Sequence, residues 1–281
     1  MPPTSGCWRR CRSQAARRAA DVASSEPDKT SHDPAALARL ATVERQIDAL
    51  HPALDFIGQS TPTAIIALAF GHRARSLYLG ILHAVAGPSE ATAQVALRVL
   101  VEQTIMLPWL LLNRDVHPFL WKGEQERHLR SIIRDAPTKA GTRFAAGLAA
   151  QMPDDAIAVL DARISEARSL AATNGVAVRP NGSLLPSFAD MAAQVGTPEA
   201  KEAYHVAYNM MSGWTHSGAG GLGLTFTPDG IVLADGPVED GAPIRAMAAA
   251  SYLYLLAIVS REARLGIEDE AEALRQQLLV P

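Results

Sequence analysis

Apolar residues return at steps of three and four along most of this chain, with Pro and Gly as punctuation, a pattern that predicts helices rather than strands. Asp33 before Pro34 starts the first helix, because proline at the first helical position gives up no useful hydrogen bond. That helix runs to about His51, where Pro52 interrupts it. "TPTAIIALAFGHRARSLYLGILHAVAGP" has a Thr-Pro start and a Gly-Pro stop, and predicts a long helix over 62–86. Another follows from Ser89 to about Asn113, kinked at Pro108 for want of an N–H. Further helices are predicted at 118–135, 153–173, 187–195, 198–217, 243–265 and 268–279. "LTFTPDGIVLAD" (224–235) breaks the period, since alternating β-formers around Pro-Asp-Gly predict a short hairpin. Residues 1–32, charged and aperiodic, read as a disordered Arg-rich tail. Residues 33–281 read as one all-α domain, a single helical bundle of roughly seven to nine helices with one short β-hairpin near residues 224–235.

Two helices carry polar chemistry that their surroundings do not explain. "VALRVLVEQTIMLPWLLL" (95–112) is apolar almost all the way round, as a helix in the middle of a bundle would be. Its only charges, Arg98 and Glu102, stand four residues apart and so share a face. The bland reading is an ion pair that fixes helix register; the functional one is an arginine that binds an anion or substrate and is oriented by Glu102. In "YHVAYNMMSGWTHSGAGGL" (204–222), Tyr204, Tyr208, Ser212 and His216 recur every four residues, then the helix ends in glycine. On a helix these positions drift by about 40° per step and form one winding stripe. Of its members, only His216 titrates near neutrality. A seam of amphipathic side chains between helices and a ligand site are both open readings.

The two motifs together resemble an uncharacterised family of bacterial all-helical domains, with Arg-x-x-x-Glu in a central apolar helix and Tyr-x-x-x-Ser-x-x-x-His in a later one. Arg98, Glu102, Tyr208, Ser212 and His216 match position by position, and the resemblance covers roughly residues 60–265. It implies the fold and a shared site, and no reaction.

Composition narrows the field. Residues 1–20 hold five arginines and no acid, so the remainder carries 21 basic against 29 acidic side chains, which argues against general affinity for nucleic acid or anionic membrane. Both cysteines, Cys7 and Cys11, fall in that tail, leaving the folded part without a disulfide or a cysteine-ligated metal, as in a reducing cytoplasm. The tail reads as a flexible segment or a start placed too early, with a transit peptide as the other reading. No transmembrane span is expected, because "AMAAASYLYLLAIVS" (246–260) is pinned between Arg245 and Arg261.

Several motifs fail on context. "GAGGLG" (218–223) follows a predicted helix and precedes a predicted strand, the reverse of what dinucleotide binding requires. Glu202 and His205 have di-iron spacing but no second Glu-x-x-His, so neither a metal nor a cofactor is expected. Arg45 and His51 fit an Arg-to-His spacing used by helical nucleases, one that chance supplies as often. Arg127, Arg130 and Arg134 share a helical face beside Lys122 and could touch an RNA backbone, but Glu124 and Glu126 dilute them, and a solvated face is the preferred reading.

Three functions remain. In the first, a small polar or anionic ligand is held in a bundle cavity by Arg98, Tyr204, Tyr208, Ser212 and His216. The alternative is a metal-independent endoribonuclease of the toxin or phage-defence type, with His216 as base, Arg98 on the phosphorane and Glu102 orienting it. The third is a scaffold, with Ala-rich "IRAMAAASYLYLL" as a homodimer seam.

Overall fold

The computed structural model describes residues 34–55, 61–87, 90–176, 178–179, 181–206, 224–227, 230–233 and 241–279. Among them lie ten α-helices and one 3-10 turn. In order these are α1 (Pro34–Leu50), the 3-10 turn His51–Asp55, α2 (Pro62–Ala86), α3 (Glu90–Leu112), α4 (His117–Lys139) and α5 (Thr142–Ala149). There follow α6 (Ala156–Thr173), α7 (Phe188–Val195), α8 (Pro198–Tyr204), α9 (Ala242–Ala263) and α10 (Glu268–Leu279). Leu224–Thr227 (β1) and Gly230–Leu233 (β2) pair antiparallel, with Leu224 opposite Leu233. The tail expected over 1–32 lies outside the described residues.

Local chemistry sets the boundaries. Thr61 caps α2 by accepting from the Ala64 N–H at 3.2 Å, and Thr197 caps α8 by accepting from Ala200 at 3.3 Å, each followed by proline. Ser187 and Asp190 form a reciprocal capping box at the start of α7. The helix count exceeds the expected seven to nine for a definable reason. The helix predicted to stop near 135 runs through Pro137 to Lys139, and Gly141, at φ 83°, then turns the chain into the unforeseen α5. Pro108 sits inside α3 without ending it. The helix predicted over 198–217 is described as α8 plus a wider π-type turn at residues 205 and 206, and its remainder lies outside the described residues.

The core is built by α2, α3 and α9 packed on one another, flanked by α1 and α10. Trp109, Tyr78, Tyr252, Ile47 and Ile81 are among its fully buried side chains. Gly71 lets α2 approach α9: a Cβ there would lie 2.9 Å from Leu54 Cδ2 and 3.2 Å from Val259 Cγ1. The Ala-rich stretch read as a possible dimer seam lies on α9. Ala248, Ala249, Tyr252, Leu253, Leu255 and Leu256 are buried inside the fold, so that stretch forms core. The α2, α3 and α9 helices are also long and apolar enough to cross a membrane by length and composition, a reach the reading of 246–260 alone missed.

A second unit stands beside the core. In it α4 packs on α5 and α6 around a small cluster of Val116, Leu120 and Ala171. This arm joins the bundle where α4 meets α3, where Trp121 lies 5.7 Å from the Phe70 ring, and where His117 stacks on Trp109 at 4.0 Å. His117 Nδ1 donates to the Trp109 carbonyl at 2.6 Å, and Trp109 Nε1 donates to Gln194 Oε1 at 2.8 Å, tying α3 to α7.

Candidate functional site

On α3, Arg98 Nε donates to Glu102 Oε1 at 3.0 Å, the contact that a four-residue step on one helical face permits. The pair is not sealed in the core: the side chains keep 12% and 22% of their exposure. Arg98 has a further interaction beyond Glu102. Tyr204 ends α8, half-buried against the main core. Tyr208, Ser212 and His216 lie outside the described residues, so only one member of the stripe is placed.

The α8 helix, which carries Tyr204, packs on α3. Between them and α9 and α10 opens a cleft of about 130 Å³, walled by Val101, Thr104, Glu199, Glu202, Tyr254 and Arg275 among others. Arg98, Glu102 and Tyr204 are not in that wall. Helical geometry explains this for α3, since Glu102 stands about 100° round the axis from Val101. Arg275 is held by two bonds to Glu272 (2.9 and 2.8 Å), reaches Glu199 at 3.4 Å, and lies 5.6 Å from the centre of the Tyr254 ring. Burial holds the Tyr254 hydroxyl above its ordinary value, so it enters the cleft neutral, as a hydrogen-bonding group.

Sequence reasoning missed a buried polar cluster on the other side of α9. Tyr78 and Tyr252 stack at 5.1 Å, and His51 meets Tyr252 edge-on at 5.6 Å. His51 Nδ1 lies 3.6 Å from Asp48 Oδ1. Both phenols and His51 Nε2 are buried without a hydrogen-bond partner among the described residues. Burial pushes both phenols well above the ordinary range and lowers the imidazole, which the Arg75 charge lowers further. All three groups are therefore neutral near pH 7. The signal was present: "SLYLG" and "SYLYLL" put phenols at core-facing positions of apolar helices.

The arginine face dismissed as solvated is likewise more than that. Arg127, Arg130 and Arg134 line a cleft of about 240 Å³ together with Arg168 of α6. Glu124, expected to dilute their charge, does so for Arg127 from a position that is only 4% exposed. It accepts two bonds from Arg127 (3.0 and 2.6 Å) and one from the Leu184 N–H at 2.9 Å. Glu126 is buried too, bonded to Arg163 at 3.2 Å. Among the described residues, no group of three His, Cys, Asp or Glu side chains could hold a metal ion.

Comparison with family models, with curated proteins and with solved structures finds no match to this chain.

Proposed function

We propose that this chain is a helical binding protein for a small polar or anionic ligand, held beside α3 where α8 packs on it. The observation that carries the reading is the packing of α8 on α3: it sets Tyr204, the start of the stripe, beside the helix that carries Arg98 and Glu102. The adjoining cleft, apolar with Thr104, Glu199, Glu202, Ser251, Tyr254 and Arg275 in its wall, has the mixed lining that ligand pockets use. The resemblance of Arg98, Glu102, Tyr208, Ser212 and His216 to one family's motif supports a common site. The bundle works in water on this reading. That is supported by the outer face of α2, where His72, Arg73, Ser76 and His83 are exposed and would be costly in lipid.

The test is thermal denaturation of the full chain with a panel of small carboxylates, phosphates and amino acids. A ligand that binds the fold raises the melting temperature by roughly RT ln(1 + [L]/Kd) in free energy. The stabilisation should vanish in Arg98→Ala and His216→Ala. A panel without any shift, or a shift that survives both substitutions, refutes the assignment.

A further inference from the structure

The arginine cleft between α4 and α6 is built from two helices and a turn, and none of it belongs to the site above. Arg127, Arg130, Ser131 and Arg134 fall on one face of α4 by their three- and four-residue spacing. The α6 helix runs antiparallel to α4: Gly123 faces Ala167, Glu126 pairs with Arg163 at 3.2 Å, and Arg130 pairs with Asp161. It adds Asp161, Ile164 and Arg168 to the wall. The far end is closed by Asn181 and Gly182. Their turn is stiff, with the Arg179 N–H on the Ser183 carbonyl at 3.0 Å, the Gly182 N–H on the Arg179 carbonyl at 2.8 Å, and the Ser183 N–H on Asn181 Oδ1 at 3.1 Å. Gly182 has φ 77°, and a Cβ there would sit 3.9 Å from an Arg168 guanidinium nitrogen, so the arginine lies against the turn.

Four guanidinium groups face one carboxylate, Asp161, across this space. Glu124 holds Arg127 and Asp135 holds Arg134, both from outside the wall. Arg168 is exposed and makes no ion pair among the described residues. Three of the four guanidinium groups are thus paired with carboxylates, and the site keeps an excess of one positive charge, that of Arg168, inside a protein whose residues after 20 are net acidic. Guanidinium forks match the tetrahedral oxygens of phosphate, and several converging forks favour a dianion over a carboxylate.

We propose that this cleft binds a single phosphoryl group, either free phosphate or the monoester end of a small molecule. Its volume, about 240 Å³, falls short of the roughly 300–1,000 Å³ that drug-sized ligands occupy. A long polyanion would have to run on from the cleft across an acidic surface, which disfavours nucleic acid.

The experiment is calorimetric titration of the full-length chain with inorganic phosphate, glycerol phosphate and a single-stranded oligonucleotide, at an ionic strength matched with chloride. Phosphate or glycerol phosphate should bind saturably, and preference between them identifies the source. Arg168→Ala should weaken binding about tenfold, with an unchanged circular dichroism spectrum because the side chain is exposed and in no ion pair among the described residues. Asp161→Asn removes the one acid of the wall and should tighten binding. Arg143→Ala, on exposed α5, should change nothing. Arg98→Ala should also change nothing, which separates this site from the one on α3. Absence of binding above the chloride control, equal affinity in Arg168→Ala, or oligonucleotide binding tighter than either phosphate with a salt slope of several phosphates would each overturn the proposal.

Discussion

Gly123→Ala is a sharp test of how the arm is packed, because two established effects oppose each other there. Alanine in a helix interior is favoured over glycine by about 0.5–1 kcal/mol, and Gly123 lies in the middle of α4. The added methyl would however lie 2.6 Å from Ala167 Cβ and 2.8 Å from Leu184 Cδ1. Carbon atoms rest at about 3.5–4.0 Å, so the two helices would have to part by roughly 1 Å. Leu184 can turn to another rotamer, but Ala167 Cβ is fixed to its own helix and has none. Overpacking of this kind costs typically 1–3 kcal/mol, and the rigid contact puts this case in the upper half. The net is a loss of about 1–2 kcal/mol, or a fall in melting temperature of roughly 2–4 °C at this chain length.

Gly80→Ala is the matched control. It sits inside α2 with nothing within 4 Å of the new Cβ, so only the propensity gain remains. Its melting temperature should rise by about 2 °C. Differential scanning calorimetry on both variants decides the matter. A Gly123→Ala protein as stable as the parent would mean that α4 and α6 do not approach as closely as the geometry requires, and would remove the basis for the arginine cleft as well.

Glu124→Ala strips a buried carboxylate from Arg127 and from the Leu184 N–H and should cost about 3 kcal/mol, with Glu124→Gln costing less; equal denaturant midpoints would refute the role. Burial pushes the Glu124 carboxyl up, but the Arg127 and Leu184 hydrogen bonds outweigh it and hold the group below its ordinary 4.5. Its stabilisation is thus complete above that value and is lost as pH falls through the folded-state value, so Glu124→Gln should flatten the acid limb of a stability–pH curve. His51 shifts the same way for a different reason, since burial and then Arg75 lower it from 6.5, while Asp48 and Asp55 oppose. Between 6.5 and its folded value the unfolded chain binds the extra proton, so melting temperature should fall on acidification from pH 7, and less so in His51→Gln. For Arg98 and Glu102, a double-mutant cycle with Arg98→Met and Glu102→Gln should give a coupling of about 0.5–1 kcal/mol, between the values for surface and buried pairs; strict additivity would refute a direct pair.

Periodicity and caps were legible because they are local. Thr61-Pro62, Thr197-Pro198 and Ser187 with Asp190 act through atoms three residues away, and each helix start follows from them. The Arg98–Glu102 contact is local in the same sense. What could not be read is anything that depends on which face of a helix turns inward. Glu124 and Glu126 were read as a solvated dilution of the Arg127 face, yet both are buried, Glu124 bonded to Arg127 and Glu126 to Arg163 across the arm. Arg168 and Gly182, 34 and 48 residues beyond Arg134, complete that cleft only through the α4–α6 packing. Likewise the Ala-rich stretch of α9 suggests close helix approach, but sequence does not say that within the chain its neighbour is α2.

The two units of the fold are held by different forces, which predicts how they respond to a ligand. In α2, α3 and α9, long runs of apolar side chains are fully buried, so opening them exposes much of the core. The arm buries far less: its cluster is Val116, Leu120 and Ala171, and α5 has no buried residue among its eight. Ion pairs of Arg127 with Glu124, Arg163 with Glu126 and Arg130 with Asp161 take up much of the remaining work. Regions with few buried contacts open first, so amide hydrogens of α5 and α6 should exchange well before those of α3 and α9. A phosphoryl group that bridges α4 and α6 favours the closed arm and should slow exchange in α6 at saturating phosphate while leaving α9 unchanged. Uniform protection over both units would mean that the arm and the core open together, and that phosphate binding, where it occurs, is read by the whole fold rather than by the cleft.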